Sequence, residues 1–153
     1  MSQPHDETTT GAMQQTNLPA DGGEFIRRFL PTSPYVGHLG MRLVEMRPDE
    51  ATLALPFSNE VVTIGNTVHG GAIASLIDTT AMVAAWCGAP VPEQLRGTTV
   101  GLTVSYLAAA TGEDLLATAR VLRRGRSLVY LDVDVRNQAG RAVAKGLVTY
   151  KLG

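Results

Sequence analysis

An α+β domain, a curved antiparallel sheet wrapped around one long central helix, follows from three features of this 153-residue sequence. Residues 66–88, NTVHGGAIASLIDTTAMVAAWCG, carry one charged side chain beyond Gly70, Asp78, and almost no polar stripe at helical spacing. A helix that is apolar nearly all round is a buried one. Ser75, Asp78, Thr79 and Thr80 interrupt the run, which is too short to span a membrane. Two strand-like runs precede it and four follow, joined by short turns, as in an antiparallel sheet. An apolar helix entering after the second strand is swallowed by the concave side of that sheet.

The elements come in order. Residues 1–23 are polar, rich in Thr, Gln and Gly, and nearly free of large apolar groups. Such a segment cannot offset the entropy of ordering, so a flexible tail is expected there, with the domain proper over 24–153. Residues 24–30 set Phe25, Ile26, Phe29 and Leu30 against Arg27 and Arg28, a short amphipathic helix ended by Pro31 and Pro34. Residues 41–57 read as two strands about a turn at Pro48-Asp49. Residues 58–68 lack periodicity, and a loop of that length in a compact domain is often functional. After the helix and a connection with two prolines, Val100, Leu102, Val104 and Tyr106 alternate onto one face, with Thr99, Gly101, Thr103 and Ser105 opposite. Residues 113–124 and 126–136 flank Gly125 as a hairpin, the second strand alternating Val129, Leu131, Val133 and Val135 with polar residues. The last strand covers 141–152.

Composition excludes several classes. Thirteen basic against fourteen acidic residues leave a formal charge of −1, without the basic excess of a nucleic-acid binder. The single cysteine, Cys87, cannot form an intramolecular disulfide or a Cys-based metal site, and its place in the apolar run makes it a small core residue. The polar N-terminus has no apolar stretch of signal-peptide kind, so a soluble cytoplasmic protein is expected. No G-x-S-x-G elbow, P-loop or G-x-G-x-x-G occurs. His38 and His69 lack the spacing of a zinc site.

Three features carry possible chemistry, each with a plainer alternative. At His69-Gly70-Gly71, glycines at a helix start leave amides free for an anion or a polarised carbonyl, or simply give a flexible entry with a structural histidine. Asp78 lies too deep to cap the helix; a carboxylate there pairs with Thr79, Thr80 or the backbone, or works as base or nucleophile in a cleft. The turn Arg123-Arg124-Gly125-Arg126 is a solvated hairpin tip or a grip for phosphates.

The run H-G-G-A-I-A-S-L-I-D-T-T resembles the signature of hotdog-fold acyl-coenzyme A thioesterases, in particular the phenylacetate-pathway (PaaI-like) branch. The strand order after it agrees, so the resemblance covers roughly residues 25–152. It implies hydrolysis of an acyl-coenzyme A to a carboxylic acid and free coenzyme A, without metal or redox cofactor. It implies that Gly70 polarises the thioester carbonyl through its amide and that Asp78 activates water or attacks directly. His69 would position the thioester, and Thr99 would orient the water. Gly71, Arg124, Arg126 and Ser127 would hold the rest of the substrate, the arginines at its nucleotide. One departure stands out: many relatives carry an Asn six residues before the His, where this chain has Thr63. Either Asn66, three residues before the His, reaches the site from a shifted loop, or the second donor is weaker. Two rivals are a hotdog hydratase or dehydratase, whose pattern needs an Asp shortly before the His, and a non-catalytic acyl-coenzyme A-sensing module.

Gly70 and Asp78 are eight residues apart on one helix, roughly 12 Å along its axis. Both must lie about 3 Å from reacting atoms. A homodimer that sets Gly70 of one chain opposite Asp78 of the other meets that demand, and the family pairs sheets edge to edge in dimers and dimer-of-dimers tetramers with shared sites. No nucleic-acid or membrane partner is expected.

Overall fold

The structure, a computed structural model, describes residues 18–153; most of the expected tail, residues 1–17, lies outside them. Strands β1 (Arg42–Arg47), β2 (Glu50–Leu55), β3 (Gly97–Tyr106), β4 (Leu115–Arg124), β5 (Leu128–Asn137) and β6 (Ala142–Leu152) form one sheet in the order β1-β2-β4-β5-β6-β3. Every pairing is antiparallel. Helix α3 (Gly70–Trp86) crosses its inner face, with Leu76, Ile77, Ala81, Val83 and Ala84 fully buried. On β5, Val129, Leu131, Val133 and Val135 face the helix and are buried, as alternation requires. Register shifts insert an extra residue in β1, β3, β4 and β6. Each bulge bends and twists its strand, and together they curve the sheet around the helix.

The shift in β3 overturns one expectation. Thr99 pairs with Tyr150 and Leu102 with Val148, so Val100 is an extra residue between them. Thr99 therefore shares the inner face with Leu102, Val104 and Tyr106 instead of opposing them. Strict alternation misplaces it because a bulge inserts one residue and reverses the facing of everything before it.

The N-terminal boundary also moves. Helix α1 runs Gly22–Phe29, two residues ahead of the expected start at Glu24. Asp21 accepts from the Glu24 N–H at 2.8 Å, and the Glu24 carboxylate accepts from the Ala20 N–H at 2.5 Å. The Asp21 bond is the N-cap half of a capping box and satisfies a donor the first turn leaves free; Glu24 reaches back one residue beyond the cap. Gly22 and Gly23 are buried, so residues 21–23 belong to the folded unit. A second short helix, α2 (Pro34–His38), follows where only helix terminators were expected; Pro34 starts it, since a first-turn proline loses no intrahelical bond.

The C-terminus of α3 is clamped. Asp49, in the β1–β2 turn with φ 66°, donates its N–H to the Cys87 carbonyl at 2.9 Å and accepts the Val121 N–H at 2.9 Å. Arg124 reaches Asp49 Oδ1 through Nε at 3.0 Å and Nη2 at 2.6 Å, and its Nη1 donates to the Ala85 carbonyl at 2.9 Å. A cation is thereby set on the negative end of the helix dipole.

Candidate active site

The carboxylate of Asp78 is half-buried on the one open stripe of α3, which runs through exposed Gly71 and half-buried Ala74, Ser75, Asp78 and Met82. Thr79 and Thr80 are not its partners; Thr80 donates instead to the Leu76 carbonyl at 2.6 Å. Asp78 Oδ1 accepts the Thr99 hydroxyl at 2.6 Å. The β3 bulge makes this bond possible by turning Thr99 inward. One carboxylate oxygen is thus held, and the other remains to meet a substrate or water.

Asp78 and Thr99 open onto a cleft of about 390 Å³ whose walls include Phe25, Phe29, Met82, Trp86 and Tyr150. Trp86 Nε1 donates to the Tyr150 hydroxyl at 3.1 Å. Burial, reinforced by the Asp78 carboxylate, raises the Tyr150 phenol above its ordinary range, against the pull of the Trp86 hydrogen bond. The phenol is held neutral at the edge of the cleft. Gly97 lies so close that a Cβ there would fall 2.5 Å from the same hydroxyl.

At the other end of the stripe, His69 is the N-cap of α3 and its Nδ1 accepts the Gly71 N–H at 2.7 Å. The accepting nitrogen carries no proton, so the neutral ring holds its proton on Nε2. The Ala72 and Ile73 amides both reach the His69 carbonyl. Only the Gly70 N–H, among these helix-start amides, has no acceptor among the described residues. The Gly71 amide, expected to hold substrate, is engaged by His69 in this structure. Tyr106, not singled out as a functional residue in the sequence, donates its hydroxyl to the Gly70 carbonyl at 2.7 Å and packs its ring on Gly70, where a Cβ would fall 3.3 Å from Cζ. Together these contacts fix the direction of the free amide.

Asn66 does not join this end. Residues 61–69 form a small hairpin in which Thr63 N–H meets the Thr67 carbonyl, Val62 pairs with Val68, and His69 N–H meets the Val61 carbonyl. Asn66 sits at its tip, with an exposed side chain and a carbonyl that accepts from Gly112. The rungs set His69 against Val61 and carry Asn66 to the far end.

The basic turn divides in two. Arg124 is engaged with Asp49 and the helix terminus. Arg123, Arg126 and Ser127 instead line an open cleft of about 610 Å³ with Tyr130. Arg96 and Lys151, which sequence reasoning passed over, line a neighbouring cleft that shares Leu95, Gly97 and Thr98 with the Asp78 cleft. Scattered single charges leave no sequence signal for such a surface. Cys87 is buried, and burial raises its thiol further from ionisation, in keeping with a core residue.

The profile of the Thioesterase superfamily matches residues 65–144, which hold α3, His69, Thr99, Tyr106 and the basic turn. Human acyl-coenzyme A thioesterase 13 is 34% identical over 116 residues, covering 72% of this chain and 79% of the relative. Among solved structures, zebra fish thioesterase superfamily member 2 superimposes with a TM-score of 0.70 at 32% identity, over 84% of this chain and 94% of that one. The PaaI protein of the E. coli phenylacetic acid degradation operon, at 21% identity and a TM-score of 0.75, covers 90% of this chain and 97% of its own and shares the fold.

Proposed function

The chain belongs to the thioesterase superfamily, and we propose on that footing that it hydrolyses an acyl-coenzyme A to a carboxylic acid and free coenzyme A. The observation that carries the reading is the Asp78–Thr99 pair, a half-buried carboxylate held at 2.6 Å on the wall of a cleft with an aromatic side. Thr99 holds Oδ1, and the other oxygen takes a proton from water as that water attacks the thioester carbon. The carbonyl oxygen gains charge as the tetrahedral intermediate forms. The Gly70 amide, at the positive end of the α3 dipole, supports that charge; one such donor contributes about 2.7–4 kcal/mol to the transition state. Collapse breaks the carbon–sulfur bond, and the proton passes to the departing thiolate. The reaction is redox-neutral, and these groups supply its base and its oxyanion donor, so the scheme calls on no metal or redox cofactor.

The site is shared between two chains in this proposal. Gly70 and Asp78 sit too far apart on one helix to serve one carbon, roughly 12 Å at 1.5 Å per residue. The open stripe of α3 supports a dimer, as do the inner-face side chains Leu102 and Tyr106 on the edge strand β3, 41% and 53% exposed. A two-fold pairing along this edge sets each Asp78 near the partner's helix start; pairing of two dimers would give a tetramer. No described helix is long and apolar enough to cross a membrane, and we place the enzyme in the cytoplasm.

Thiol release from a panel of aromatic, short and medium-chain acyl-coenzyme A thioesters tests the reading. A kcat/KM of about 10⁴ M⁻¹s⁻¹ or above is expected for the best substrate. Tight binding with no thiol release would make the chain a sensing module. The same assay separates the arginines. Arg126→Ala is expected to raise KM for acyl-coenzyme A and to leave a truncated thioester without the nucleotide unaffected. Arg124→Ala should instead leave both KM values alone and lower Tm by about 2–4 °C, the equivalent of about 1 kcal/mol in a chain of this size. Equal effects of Arg126→Ala on both substrates would return the turn to a solvated hairpin tip.

A further inference from the structure

We infer that helix α1 sets the upper size of the acyl group, with Phe25 and Phe29 closing the end of the cleft onto which Asp78 and Thr99 open. The inference rests on the thioesterase reading of that cleft and adds its selectivity. The Phe25 ring lies 4.4 Å from Trp86, tilted by 41°, and stacks on Phe29 at 5.4 Å with an interplanar angle of 11°. Aromatic side chains have few rotamers and large contact area, so a row of three makes a stiff wall.

The row is anchored at Trp86 and through the body of α1. Trp86 is 2% exposed and tied to Tyr150 through Nε1. Helix α1 is tied at Gly22, whose N–H donates to the Ala89 carbonyl at 3.2 Å. A Cβ at Gly22 would lie 1.9 Å from the Trp86 carbonyl oxygen, so only glycine lets α1 approach α3 this closely. Ile26, on the same helix, is fully buried and holds its other side. The wall is built into the domain and does not swing as a flap.

The cleft of about 390 Å³ sits at the low end of ligand-pocket sizes, about 300–1,000 Å³. Its lining beyond Asp78 and Thr99 sets the apolar Phe25, Phe29, Val36, Met82, Trp86 and Leu95 beside the hydroxyl-bearing Ser33, Tyr35, Thr79, Thr98 and Tyr150. Compact apolar acyl groups, branched or ring-bearing, fill such a space. A longer straight chain meets the aromatic row, and a single methylene misfit in an apolar pocket changes selectivity by about 10–200-fold.

The test is a series of straight-chain acyl-coenzyme A substrates of rising length, assayed for kcat/KM with the wild type, Phe25→Ala and Phe29→Ala. The wild type should show a steep cut-off. Phe25→Ala should raise kcat/KM for the first rejected length by about tenfold or more and lower that of the best compact substrate severalfold. Phe29→Ala, at a position 40% exposed, carries the test if Phe25→Ala fails to fold. Fluorescence of Trp86, the one tryptophan in the sequence, supplies a readout free of turnover: titration with free carboxylic acids should show the same cut-off, shifted to longer acids in the variants. A wild type that accepts long chains as readily as compact ones overturns the inference. So does a folded Phe25→Ala or Phe29→Ala variant with an unchanged length profile. If no thioester is hydrolysed, the enzymatic reading falls, and the acid titration still decides whether α1 limits the cleft.

Discussion

Asp78→Asn is expected to lower kcat by about 10²–10⁴-fold, the usual contribution of a positioned general base, while KM and the melting temperature stay near those of the wild type. The asparagine carbonyl still accepts the Thr99 hydroxyl that Oδ1 accepts at 2.6 Å in the native site, so the local packing survives. What is lost is an oxygen able to take a proton from water. A fall in kcat without a rise in KM marks an interaction made only in the transition state. Near-native turnover of the best substrate by the folded variant would remove Asp78 from the chemistry. A variant that fails to fold would assign the carboxylate a structural task.

The second large effect falls on stability, where α3 meets β6. Gly146 is buried on the inner face of β6, and a Cβ there would lie 2.5 Å from Ile77 Cγ2. Ile77 is fully buried and has no room to retreat. Ile77→Ala should destabilise by about 2–5 kcal/mol through lost burial and a residual cavity. Gly146→Ala should cost about 1–3 kcal/mol by overpacking. The pair together should cost less than the sum by about 0.5–3 kcal/mol, because an alanine at 77 removes the methyl that the new Cβ strikes. Urea midpoints at constant m-value measure all three. Strict additivity would mean that the helix does not rest on β6 through this contact.

Much of this was legible in the residues themselves. Asp78 stood out as the lone charge in an apolar run, and the alternation of Val129, Leu131, Val133 and Val135 marked the inner face of β5. What escaped was set by contacts between distant segments. Thr99 reaches Asp78 through a one-residue bulge that alternation cannot reveal. The fate of the Gly71 amide depended on a rotamer of His69, and that of Arg124 on an aspartate 75 positions earlier in the chain. Asn66 was chosen by proximity in sequence, yet a tight hairpin carries it away from His69. The start of α1 was written in Asp21 and Glu24, but the two glycines between them read as part of a flexible tail. Only the cap geometry separates those meanings.

A site divided between chains is most directly tested by mixing two inactive variants, Asp78→Ala and His69→Ala. The first removes the base; the second removes the cap that holds the Gly71 amide beside the free Gly70 N–H. In a mixed dimer one site carries both lesions and the other carries none. Random co-refolding makes half the dimers mixed, so activity should return to roughly a quarter of the wild-type level. If Gly70 and Asp78 served one site within a single chain, every site in the mixture would keep one lesion and activity would stay lost.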